Sequence, residues 1–123
     1  IANKDWTTAK KSYAELLTTA NGEIAAEALY YDAYFKNADK KYEASNVAIQ
    51  KLAKDYSGYK YFGAKGLVLM ANNFYGLKDS YQATYILENV IKNFSDYNDV
   101  VSDAKAELAK IKSEESKRNS SVK

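Results

Sequence analysis

Histidine and cysteine are both absent from this chain, so carboxylates are the main side chains left with which to do chemistry. Asp96, Asp99 and Asp103 stand close together, and Asp32 interrupts an otherwise apolar helical stripe. Paired carboxylates serve as general acid and base, or bind a hard cation through oxygen. For the Asp96, Asp99 and Asp103 group, helix capping and favourable first-turn charge explain the same pattern and are the favoured reading. A catalytic role for Asp32 is not expected, because an active carboxylate normally has a second acid, base or metal nearby. If it is buried, it requires a hydrogen-bonding or cationic neighbour, or a helix turned so as to expose it. The usual bases, nucleophiles and transition-metal ligands are missing. Gly63-Ala64-Lys65-Gly66 falls inside a helical pattern, where Gly63 and Gly66 serve close packing rather than a phosphate loop. The expectation is a protein that is not an enzyme and uses no cofactor and no metal.

The side chains are carried by a chain of 123 residues, 46% hydrophobic, enough for one continuous core. It has no proline and only five glycines, which leaves little to interrupt helices and points to an all-α fold. The lack of cysteine leaves the redox compartment open. The formal charge is +2, and the basic excess gathers in the C-terminal tail at Lys110, Lys112, Lys117, Arg118 and Lys123. A nucleic-acid binder carries its basic side chains on a structured face, so no nucleic-acid partner is expected. No apolar run approaches the ~20 residues of a membrane span, so direct membrane insertion is not expected either.

Apolar spacing predicts helices over about residues 5–19, 23–37, 39–56, 59–77, 80–94 and 98–115. Asn21-Gly22, Ser57-Gly58 and Ser95-Asp96 mark breaks between them. Asp39 is the expected N-cap of the third helix, and Asp79 or Ser80 that of the fifth. The packed side of the third helix is read as Tyr42, Ser45, Ile49, Leu52, Ala53 and Tyr56. Residues 116–123 are expected to form a disordered polar tail after a helical domain over 1–115.

The pattern repeats at about thirty-eight residues, the mark of a helical array. Ile24, Ala28, Leu29 and Ala33 map onto Phe62, Gly66, Leu67 and Ala71, and the small residues recur at Ala104 and Ala109. Ile49, Leu52 and Ala53 map onto Leu87, Val90 and Ile91 in the same way. Short connections make neighbours antiparallel. Because the chain begins on the second helix of a unit, it is expected to be the C-terminal fragment of a longer array.

These residues resemble the tetratricopeptide repeats. The run Asp5-Trp6-Thr7-Thr8-Ala9 followed by Tyr13, Leu16 and Leu17 fits that pattern, as does Asp79-Ser80-Tyr81-Gln82-Ala83 followed by Leu87, Val90 and Ile91. The middle unit departs from it: two lysines separate Asp39 from Tyr42, and Ser45 takes the small position. The segment from Tyr59 to Lys112 is also similar to the C-terminal repeats of long tetratricopeptide proteins of Bacteroidetes-type bacteria. The resemblance implies antiparallel helix pairs stacked as a right-handed superhelix of about six helices, located in the periplasm or cell envelope rather than the cytoplasm.

In that family the concave groove is lined by the first helices of successive units. Taking Ala33, Ala71 and Ala109 as packed references, helical spacing turns Glu27, Tyr30, Tyr34 and Asn37 inward. Lys65, Val68, Asn72 and Tyr75 follow from the next unit, and Asp103, Ala106, Lys110 and Ser113 from the last. Tyrosines among amides and mixed charges suit an extended peptide or a partner helix. Several of the tyrosines are equally expected to be packing residues. The expected function is a protein–protein interaction scaffold holding a protein or peptide partner. The alternatives are a carbohydrate-binding helical-repeat protein of the bacterial envelope, or a purely structural cap of a longer array. Trp6 and Tyr13 on the first helix suggest self-association.

Overall fold

The computed structural model describes residues 22–122. Its five helices are α1 (Gly22–Ala38), α2 (Tyr42–Asp55), α3 (Lys60–Gly76), α4 (Ser80–Asn93) and α5 (Asn98–Val122). The expected helix over 5–19, with Trp6 and Tyr13, lies outside the described residues.

Each helix packs on the next in sequence; in addition α1 touches α3 and α3 touches α5, while α2 and α4 do not touch each other. The first helices of successive units therefore form one continuous layer, and the second helices stand apart behind it. α3 has all four other helices as neighbours, which explains why it is apolar on nearly every side, whereas α2 and α4 carry a single stripe. Ala26, Leu29, Ala33, Ile49, Leu52 and Leu69 close the first core; Ala64, Ala71, Leu87, Val90, Ala104 and Ile111 close the second. Because α3 contributes to both, the cores run along a stack rather than around one centre.

The small residues do what the repeat predicts where two helices cover them. Ala28, Gly66 and Ala104 are buried, and a Cβ on Gly66 would lie 3.2 Å from Ile49 Cγ2 and 3.4 Å from Leu52 Cδ2. Gly63 differs from expectation: a Cβ there meets nothing within 4 Å, so it serves no close approach. Ala33 and Ala71 are fully buried, but Ala109 is exposed. The first two are covered by the helix that follows in sequence, as the Ser45 Oγ–Ala33 carbonyl hydrogen bond shows for α1 and α2; among the described residues no helix follows α5. Ala53, expected on the packed side of α2, is also exposed.

The turns after α1 and α3 are the same turn built twice. Lys40 and Lys78 take left-handed backbone angles, φ 64° and 71°. The amides of Lys41 and Asp79 reach back to the carbonyls of Lys36 and Phe74, both at 2.8 Å, the bonding of a Schellman ending. Lys41, rather than Asp39, occupies the N-cap of α2, and it makes no side-chain cap bond. Asp39 sits one residue before the left-handed position, inside the turn, where its side chain has no free helix N–H to meet. In the next unit the carboxylate is in register: Asp79 accepts from the Gln82 amide at 3.1 Å.

One further expectation changes. α5 runs on to Val122 rather than ending near Glu115, so the polar segment continues the helix. Glu115 pairs with Arg118 along it, Glu114 is held by Tyr75, and no glycine or proline interrupts the run. Asp32 has the cationic neighbour and the exposure expected of a carboxylate at that position: it is half exposed and forms an ion pair with Lys36 one turn on, at 2.6 Å.

Candidate functional site

On the layer made by α1, α3 and α5 lies a pocket of about 190 Å³. α1 contributes Tyr30 and Tyr34, α3 contributes Lys65, Val68, Leu69 and Asn72, and α5 contributes Asp99, Val100, Asp103 and Glu107. Tyr30, Tyr34, Lys65, Val68, Asn72 and Asp103 are thus brought together from the set nominated by spacing. Tyr30 is nearly buried and Tyr34 is 45% exposed, so the first is chiefly a wall and the second a rim.

The other nominated residues stand elsewhere. Asn37 lies beside the pocket in a chain of amides, and Glu27 is half-buried on α1 outside the lining. Tyr75 donates from its hydroxyl to Glu114 Oε1 at 2.5 Å and borders a separate cavity of about 270 Å³. Ala106, Lys110 and Ser113 are exposed on α5 and do not line the pocket. Their register was taken from Ala109, and Ala109 is not packed. The inward line of α5 runs instead through Asp99, Asp103 and Glu107, spaced four apart as one face of a helix requires. That spacing was visible in the sequence, but the competing small-residue register obscured it.

Amides tie the layer together. Asn37 Nδ2 donates to Asn72 Oδ1 at 2.9 Å, and Asn72 Nδ2 donates to Glu107 Oε2 at 2.9 Å. Asn37 also donates to Asn73 Oδ1 at 2.7 Å. Asn73 in turn donates to Ser45 Oγ and Asn46 Oδ1, both at 2.8 Å. No buried side-chain polar atom among the described residues lacks a partner, so this network is closed and rigid where it passes through the core.

Lys65 sets the electrostatics of the upper pocket. Its ammonium lies 4.7 Å from the Tyr30 ring centre, 5.8 Å from Tyr31 and 5.5 Å from Tyr61, within reach of cation–π attraction. It makes no ion pair with Asp99 or Asp103. Burial, reinforced by Tyr31, Tyr34 and Asp103, pushes the Tyr30 hydroxyl up to about 12. The Tyr61 hydroxyl donates to Asp99 Oδ2 at 2.5 Å, which raises the phenol and holds the Asp99 carboxyl below its usual range. The Asp99 carboxyl is therefore ionised at neutral pH, and the Tyr30 and Tyr61 phenols are neutral there.

Among the described residues no group of three or more Asp and Glu side chains converges as metal ligands would. Asp99 is engaged by Tyr61, and Asp96 is exposed outside the pocket. No described helix is long and apolar enough to cross a membrane. Compared with known proteins, the chain matches no family model, no curated protein and no solved structure.

Proposed function

We propose that the protein is a non-enzymatic, tetratricopeptide-like interaction scaffold of the bacterial cell envelope, holding a peptide or partner helix against the face built by α1, α3 and α5. The observation that carries this reading is the convergence of Tyr34, Lys65, Val68, Asn72 and Asp103 on one pocket from three helices far apart in sequence. An aromatic rim with an apolar floor and directed amides is the composition by which protein surfaces grip extended chains. A photo-crosslinking amino acid at Tyr34 tests it, with the same group at Tyr81 as control. A discrete protein captured from the source cells at Tyr34 and not at Tyr81 is the expected result. Capture at Tyr81 alone would move the function to α4.

One observation favours carbohydrate binding as a second reading. Tyr81 and Tyr85 on α4 are 77% and 56% exposed, and their rings lie within 13° of parallel with centres 6.5 Å apart. Beside Tyr81 runs an open groove bordered by Lys112, Glu115 and Asn119. Flat exposed rings beside polar groups suit a pyranose face, and titrating oligosaccharides while following the Tyr81 and Tyr85 ring resonances would reveal it.

A further inference from the structure

The pocket on the α1, α3 and α5 layer is charged unevenly. Asp99, Asp103 and Glu107 form its α5 wall, and Lys65 is the one cation in its lining among the described residues. Lys65 does not cancel them by contact, because its ammonium is held over tyrosine rings. Asp103 makes no hydrogen bond or ion pair among the described residues, and Glu107 meets Asn72 through Oε2. A volume of about 190 Å³ takes one long side chain and not a helix.

We infer that the occupant of this pocket is a lysine or arginine side chain of an extended basic peptide, its charge facing Asp103 and Glu107 and its stem lying along Tyr34 and Val68. Charge complementarity selects this partner: an acidic peptide would meet net negative charge, and a neutral one would leave Asp103 uncompensated as water is expelled. One tyrosine of the lining, Tyr30, already has an ammonium over its ring, that of Lys65. Lys65 therefore opposes a basic ligand, both by like charge and by covering the Tyr30 ring. The inference rests on the groove reading given above.

The test selects random linear peptides displayed on phage against the whole chain, then measures the selected peptides by fluorescence anisotropy. The selected peptides are expected to be rich in lysine and arginine. Asp103→Asn should weaken them by about tenfold and Lys65→Gln should tighten them by about threefold, both effects shrinking at high salt. Opposite signs cannot come from a damaged fold, which would weaken both. Peptides that lose binding on Tyr34→Ala, yet are acidic or uncharged and indifferent to Asp103→Asn, would overturn the basic occupant and leave the groove standing. Peptides indifferent to Tyr34→Ala, or no peptide at all, would remove the groove reading and this inference with it.

Discussion

Asn37 and Asn72 are thirty-five residues apart and joined by a 2.9 Å hydrogen bond, and the same separation recurs from Asn72 to Glu107, again at 2.9 Å. One residue in the middle helix thus accepts from the helix before it and donates to the helix after it. The link repeats along the stack although the residue types at its ends do not. An amide does this because it carries a donor and an acceptor on one planar group.

The neighbouring Asn73 is the more costly one to lose. It is fully buried and its amide satisfies Ser45, Asn46 and Asn37 at once. Asn73→Ala is expected to destabilise the fold by about 3 kcal/mol, because buried Ser45 and Asn46 lose their donor and half-buried Asn37 loses one of its two acceptors. Asn72→Ala, at a half-buried position, should cost about 1 kcal/mol. Urea unfolding of the two variants checks the ranking.

Two glycines of α3 should respond with opposite signs. Gly63→Ala places a methyl in open space and should stabilise the helix by about 0.5–1 kcal/mol. Gly66→Ala drives a methyl to 3.2 Å from Ile49 Cγ2, and both Ile49 and Leu52 are core residues with little room to yield. The expected net loss is on the order of 1 kcal/mol, overpacking outweighing the helix propensity gained. Thermal melts of both variants decide this.

Lys40 and Lys78 hold left-handed backbone angles without being glycine. Lys40→Gly and Lys78→Gly should each stabilise by about 0.5–1 kcal/mol, the relieved backbone strain exceeding the added entropy of the unfolded chain. A gain at one and not the other would show that the two turns are not energetically equivalent.

Stability should fall at alkaline pH. Tyr30 titrates near 12 in the folded protein against an ordinary 10.0, because burial disfavours the phenolate. Unfolded chains release this proton first, so the contribution is complete below pH 10.0 and is lost as pH rises toward about 12. Tyr75, raised by its bond to Glu114, acts in the same window and direction. Asp99 has the opposite sign: its carboxyl is lowered by Tyr61, so its contribution is present above the ordinary carboxylate range and lost as pH falls through its folded value. Urea midpoints across pH should show the alkaline decline, and Tyr30→Phe should make it shallower.

The five described helices, the breaks at Ser57-Gly58 and Ser95-Asp96, and the buried small residues Ala28, Gly66 and Ala104 were legible in the sequence, because helical periodicity is local and survives without knowledge of neighbours. Spacing from Ala33 and Ala71 picked out Tyr30, Tyr34, Lys65, Val68 and Asn72, which the structure gathers around one pocket, together with Glu27, Asn37 and Tyr75, which it does not. What the residue pattern could not determine was anything that depends on the helix placed alongside. Ala109 reads like Ala33 and Ala71 but has no described helix over it, so the true inward line of α5 passes through Asp103 and Glu107 instead of Lys110. Asn73 reads as an ordinary polar residue, and only the approach of α1 and α2 makes it the centre of a buried network. Asp39 reads as a cap until the turn places Lys41 at the helix start. In each case the deciding quantity is a separation between elements, set by how side chains of several helices interlock, and no single segment encodes it.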